Sequence, residues 1–392
     1  MPAVFFWNDR LTKGMSSACD LIETVTDKLT GVARIMKGVL ISHWNLLADN
    51  ICTMSVANKH RQRCKAQGRD FFFSTIAHLP IAHIAGIDMS STNPFYMGGT
   101  TYWMKSFDFD SFIEYHRRYR PSFQFSVPPI WLQIAKSPKV TDHFDGIEVA
   151  QSGAAPLGPE VATEVRKKLG KGKVWLIQTW GTTETTGTIT AMDWTLRDDT
   201  FSVGDICPNT RLRILDDDDK DVEPGQPGEL LVGGPIVSSL GYHKRPDANR
   251  EAFVDDFYRT GDIGKVENGL VYVVDRKKEL IKYKGTQVAP AELEAFLNSH
   301  ERILDAAVIG VWDDSRATEL PRAYIVAKAA KQDESTLTAS TVQTFVSQTL
   351  ARHKWLRGGV IFVDEIPKSA SGKILRKELR ARAAQEMPKA KL

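Results

Sequence analysis

FYRTGDIGKVENGLVYVVDRKKELIKYKGTQVAPAELE, the run from Phe257 to Glu294, decides how this chain is built. Thr260-Gly261-Asp262 reads as a tight turn in which a carboxylate beside a glycine is free to meet a ligand. Val271 to Val274 reads as a short buried strand. The strand runs into Asp275-Arg276-Lys277-Lys278-Glu279, five consecutive charged residues that cannot be buried together without partners. Beyond a basic turn at Lys282 to Gly285, Pro290 is placed to open a helix. That helix carries acids in its first turn and sets Leu293, Phe296 and Leu297 on one face. A charged break between a buried strand and a new αβ unit marks a joint between two domains.

Working outward, 392 residues are long for a single core, and two domains are expected. With 51 basic and 48 acidic side chains the net charge is only +3, which argues against a dedicated nucleic-acid binder. Cys19, Cys52, Cys64 and Cys207 lie far apart with no CxxC pair, so neither a zinc site nor a disulfide framework is suggested and a reducing compartment is the default. No signal peptide is expected from the Met1 to Trp7 start. The most apolar long region, Phe71 to Ile87, is too short and too polar to span a bilayer.

Phe123 to Ser126 reads as a strand entering a proline-stopped turn at Val127-Pro128-Pro129. Phe107 to Arg120 reads as a helix whose Phe109, Phe112 and Tyr115 form a packing stripe. Ile147 to Gly158 reads as a strand ending in a turn of small residues, followed by a helix with Val161, Val165 and Leu169 on one face and Gly170 at its close. Val174 to Gln178 reads as a buried strand leading into Thr179-Trp180-Gly181-Thr182-Thr183-Glu184, which places a hydroxyl and a carboxylate at a strand end. His78 reads as a core residue. His83, in Leu79 to Gly86, is a lone histidine in an apolar run, which by itself also reads as a core residue.

These runs, in this order, resemble the adenylate-forming superfamily, and most closely its branch with 4-coumarate–CoA ligase and firefly luciferase. The matching stretches are Lys37 to Leu46, Leu79 to Gly86, Ser152 to Leu157, Gln178 to Glu184, Thr260 to Asp262, Asp275 to Glu294 and Pro367 to Arg376. The resemblance implies an α/β fold: an incomplete large adenylation domain of βαβ sheets plus a small β-barrel over 37–277, and a smaller mobile α+β domain over 278–392. It implies a ligase that activates a small carboxylic acid with ATP to acyl-AMP and passes it to coenzyme A, in fatty-acid or secondary metabolism. Gly153, Ala154, Ala155, Pro156, Trp180, Gly181 and Thr182 are then placed around adenine, and Lys37 and Thr183 at phosphate. Glu184 is then expected as the Mg2+ ligand, Asp262 at the ribose hydroxyls, and Arg276 at the same sugar or the phosphate. His83, Ser152 and Thr179 are expected at the acid, with Thr179 narrowing the slot. Lys373 becomes the adenylation lysine, Lys278 the hinge, and Lys282 and Gln287 the pair used in thioester formation.

The match fails upstream of Lys37. Leu29 to Met36 stands where relatives carry a Ser/Thr/Gly-rich phosphate loop, and Arg34 occupies a glycine position. Residues 1–36 are otherwise unassigned. The expectation divides accordingly between a truncated acyl- or aryl-CoA ligase and an impaired AMP- or acyl-AMP-binding pseudoenzyme, or the product of an incomplete gene model. Ala390-Lys391-Leu392 resembles the tripeptide read by the peroxisomal import receptor, giving peroxisome or cytoplasm as the expected location.

Overall fold

Buried apolar strands with short helical crossovers dictate the first layer. In the computed structural model, which describes residues 37–328, 337–369 and 372–386, β1 (Ser74–Ala77) pairs in parallel with β2 (Thr100–Trp103). The strands β3 (Phe123–Ser126), β4 (Val149–Ser152) and β5 (Leu176–Gln178) form a parallel sheet. Every residue of β1, β3, β4 and β5 is buried, as strands covered on both faces require. The two sheets meet at Ser74 and Ser122, where each backbone N–H donates to the other's Oγ at 3.0 and 3.1 Å.

Helices α1 (His43–Thr53), α2 (Ser55–Ala66), α3 (Phe109–Tyr119), α4 (Pro128–Lys136) and α5 (Pro159–Arg166) belong to this domain. The Asp108 carboxylate caps α3 by accepting from the Ser111 N–H at 2.8 Å. Phe112 on α3 is fully buried, with Phe109 and Tyr115 packed on the same cluster. Two expectations change. Pro128 and Pro129 do not end a turn but open α4, because a first-turn proline lacks only an N–H that the helix leaves unpaired anyway. The Val161–Val165 helix ends at Arg166, and Leu169 reaches the core from the segment beyond it.

An antiparallel sheet of β6 (Arg211–Leu215), β7 (Gly228–Gly233), β8 (Phe253–Val254), β9 (Phe257–Glu267) and β10 (Leu270–Arg276) closes the large domain. Thr260-Gly261-Asp262 is therefore not a tight turn. It lies inside the 11-residue β9, whose alternating burial turns Tyr258, Thr260 and Asp262 inward. The strand is irregular there all the same: its register against β7 shifts between Arg259 and Ile263, where Gly261 has a φ of +70°, and its register against β10 shifts between Ile263 and Gly264.

The small domain begins with a hairpin of β11 (Ile281–Tyr283) and β12 (Thr286–Val288), turned at Lys284-Gly285 with positive φ at both residues. Strands β13 (Ile303–Asp313), β14 (Thr318–Ala327) and β15 (Val360–Phe362) form its sheet. Side chains alternate along β13, so that Ala306 and Val308 pack towards α6 (Pro290–Ser299) and α7 (Ala339–Thr349). Ala307 and Ile309 pack on the other side towards α8 (Arg376–Glu386). The architecture is α/β with a large and a small domain. The Leu29–Met36 segment and Ala390-Lys391-Leu392 lie outside the described residues. Among the described residues no helix is long and apolar enough to cross a membrane.

Candidate active site

The site starts where β5 ends. Thr179 Oγ1 donates to the Thr190 carbonyl at 2.6 Å, and the Trp180 N–H donates to Thr190 Oγ1 at 3.0 Å. Gly181–Thr182 then pairs with Gly187–Thr188 so closely that a Cβ on Gly181 would stand 1.7 Å from the Gly187 carbonyl oxygen. Only glycine fits there. Between the two arms a 3-10 turn, Thr183–Thr185, is closed by Thr182 and Thr185, leaving Thr183 and Glu184 half-exposed at the tip. Asp49, wholly buried in α1, holds the hairpin from beneath by accepting the Thr188 N–H at 3.0 Å. Burial raises the Asp49 carboxyl, and that of its buried neighbour Asp88, well above the usual carboxylate range.

Glu184 Oε1 accepts from the Tyr242 hydroxyl at 2.7 Å, and Lys37 Nζ lies 4.6 Å from the Tyr242 ring centre. The strand-like pairing of Gly38 and Leu40 with His243 and Gly241 brings Lys37 to this place. Tyr242 escaped the sequence reading of the site. Nothing beside it in the sequence points to Glu184, a partner 58 residues away.

The antiparallel sheet supplies Asp262 and Arg276 from paired positions on β9 and β10. Asp262 Oδ2 accepts from Trp180 Nε1 at 2.8 Å, and Arg276 Nε stands 3.3 Å from Oδ1. The small domain supplies Lys373. Gly372, with φ of +79°, lets the loop before α8 fold against Val127 and Pro129 of the large domain, 3.2–3.3 Å from where a Cβ would stand. A cavity of about 530 Å³ lies between the domains, lined by Ala154, Ala155, Pro156, Thr179, Trp180, Gly181, Asp262, Arg276 and Lys373. Nine of the expected site residues thus meet on one cavity wall.

Burial lowers the Lys373 ammonium from the usual lysine range and Arg276 pushes it the same way, while Asp262 and Glu184 oppose them. Burial raises Asp262, and Arg276 and the Trp180 hydrogen bond draw it back down. His83 belongs to the same neighbourhood: burial, then the charge of Lys373, lowers its imidazole, and Nδ1 accepts from the Ala85 N–H at 3.2 Å. Lys278 also acts on Lys373 electrostatically.

Other expected residues stand back from the cavity. Gly153 is behind it, where a Cβ would lie 2.8 Å from the Phe125 ring and 3.1 Å from the Thr179 methyl. Ser152 ends β4 fully buried, with no hydrogen-bond partner for Oγ among the described residues. Lys282 and Gln287 face each other across the β11–β12 hairpin, both exposed and remote from the cavity lining. The Lys282 backbone N–H donates to Glu319 Oε2 at 2.7 Å.

Known proteins match about nine tenths of the chain. The family described as AMP-binding enzyme matches residues 36–243, and that described as AMP-binding enzyme C-terminal domain matches residues 292–373. The chain belongs to the AMP-binding enzyme family. It is 43% identical over 372 residues to an Emericella nidulans protein named for acyl-coenzyme A synthetase activity, covering 93% of this chain and 65% of that one. It is 36% identical to 4-coumarate–CoA ligase 2 of Nicotiana tabacum, covering 92% and 65%, and 35% identical to phenylacetyl-CoA ligase epaB of Aspergillus niger, covering 91% and 65%. The chain therefore spans slightly less than two thirds of the length of these relatives. ATP-bound MatB from Rhodopseudomonas palustris superposes with a TM-score of 0.75 at 27% identity, over 88% of this chain and 65% of that chain. An anthranilate CoA ligase in complex with anthranoyl-AMP shares the fold, with a TM-score of 0.77 at 22% identity over 90% and 66%.

Proposed function

We propose that this AMP-binding enzyme is an acid–thiol ligase, joining a small carboxylic acid to coenzyme A through an acyl-AMP intermediate at the expense of ATP. The observation that carries this reading is the convergence of Asp262, Arg276 and Lys373 on one cavity from two domains. Asp262 and Arg276 take the ribose side of the nucleotide, and the small turn Ala154 to Pro156 offers backbone against a flat base. Lys373 reaches the same cavity as a compact cation able to meet carboxylate and phosphate oxygens together. In the first half-reaction a carboxylate oxygen attacks the α-phosphorus of ATP and pyrophosphate departs. Lys373 stabilises the charge that develops on the phosphoryl oxygens.

Glu184 fits a magnesium ion: its carboxylate offers the oxygen donor a hard cation takes, and it stands at the tip of the hairpin, oriented through Oε1 by Tyr242. With Mg2+ bound there, the phosphate charge would be partly neutralised. In the second half-reaction the thiol sulfur of coenzyme A attacks the acyl carbonyl and AMP leaves. The exposed Lys282–Gln287 pair reaches the site only by a swing of the small domain, for which Lys278, two residues past the end of β10, is the pivot.

Pyrophosphate release from ATP, followed over a panel of aryl and medium-chain carboxylic acids, tests the reading. Acid-dependent release that falls about 10²–10³-fold in Lys373→Ala supports it. Release independent of added acid, or unchanged in Lys373→Ala, overturns it.

A further inference from the structure

We infer that Trp180 is a positioning residue that selects ribonucleotides by holding the Asp262 carboxylate through its indole N–H; this rests on the nucleotide reading above. The edge of the Trp180 ring makes the specific contact. The indole N–H donates to Asp262 Oδ2 at 2.8 Å, and Arg276 Nε lies 3.3 Å from Oδ1. An ionised carboxylate has about four acceptor sites, two per oxygen. Trp180 occupies one on Oδ2, and Arg276 meets Oδ1 as an ion pair, so acceptor sites on both oxygens remain for a vicinal diol. Asp262 lines the cavity together with Trp180 and Arg276.

The indole is well placed to fix this carboxylate because its own backbone is tied down. The Trp180 carbonyl accepts the Ile189 N–H at 2.8 Å, and its N–H is held by Thr190 Oγ1. Asp262 is anchored likewise, its N–H donating to Thr260 Oγ1, whose hydroxyl donates to the Leu230 carbonyl. A neutral donor also orients the acid without placing a second full charge beside Lys373.

The test compares the full chain with Trp180→Phe, which keeps an aromatic ring and removes the N–H, by calorimetric titration with AMP and with 2′,3′-dideoxy-AMP. The expected result is a drop of about tenfold or more in AMP affinity, the scale of a hydrogen bond to a charged group, with dideoxy-AMP affinity nearly constant. The ratio of the two affinities then collapses towards one. Equal losses for both nucleotides would make Trp180 a packing residue and overturn the inference. A wild-type chain that binds both nucleotides equally would instead overturn the placement of ribose at Asp262. Where Trp180→Phe folds poorly, 3-benzothienylalanine at position 180, which exchanges only the N–H for sulfur, gives the same readout with the ring's shape kept.

Discussion

Lys373 combines two properties that pull against each other. It is buried enough to act in a water-poor cavity, and burial makes its charged form harder to keep. Its pKa in the folded chain is lowered by burial and by Arg276. The ammonium is therefore lost, as pH rises, before an ordinary lysine would lose it, and adenylate formation should decline on an alkaline limb below the usual lysine value. The linkage has a definite sign: the unfolded chain binds this proton more strongly, so in that window stability rises with pH while activity falls. A pH–rate profile of pyrophosphate release checks this, and a limb at or above 10.5 would show the charge is not strained. Arg276 is the nearest cation to remove. Arg276→Gln should move the limb upward while weakening AMP binding, because the same guanidinium also holds Asp262.

At the scale of elements, the joint is made of contacts that hold one arrangement of the two domains. Asp275 closes β10 and its Oδ2 accepts the Ala291 N–H at 3.0 Å, so a large-domain carboxylate caps the first turn of α6 in the small domain. The remaining charges of that run are partnered too, Lys277 with Glu229 and Asp217 and Glu279 with Arg380. Asp275→Ala should weaken this arrangement by about 1 kcal/mol, the usual worth of a helix cap. The first half-reaction should slow and the second should not, as single-turnover measurements of the two steps would show; equal slowing of both would mean the cap serves only stability. Three residues past Lys373, Arg376 grips both oxygens of buried Glu294 at 2.8 and 2.7 Å and fixes the loop's far end. Arg376→Ala strands that carboxylate, and a loss of about 3–5 kcal/mol is expected, read from chemical denaturation of the small domain. The sequence showed the charge run as a joint because five charges together demand partners, but not which partners, since α6 reaches Asp275 only through the fold.

Across the whole molecule, what was legible in the sequence was what lies in contiguous runs. Ala154 to Pro156, Trp180 to Glu184 and the Lys373 loop each carry their pattern within a few residues, and the structure gathers the first, the third and Trp180-Gly181 of the second at one cavity. Asp49 was invisible because its role is a hydrogen bond to Thr188, 139 residues on. The strand around Asp262 was misjudged because a glycine beside polar residues looks like a turn until tertiary pairing decides otherwise. Of the two histidines near one another in sequence, His83 is half-buried and feels the charge of Lys373, and His78 is sealed in the core. His78 Nδ1 lies 3.2 Å from the Ile76 carbonyl and Nε2 2.9 Å from Ser126 Oγ, which satisfies a neutral ring that donates from Nδ1 and accepts at Nε2. Burial lowers its pKa to about 4. Below the ordinary histidine value of about 6.5 the unfolded chain takes up a proton that the folded chain refuses. Stability should be intact above that pH and fall by about 3 kcal/mol between it and pH 4, with little further loss from this group at lower pH. The loss belongs to the large domain. Thermal unfolding followed at pH 7.5, 5.5 and 4.5 should show the large-domain transition moving down with acid, and His78→Gln should flatten that dependence even if it lowers stability at neutral pH. An acid dependence as steep in the variant as in the wild type would assign it to other buried groups.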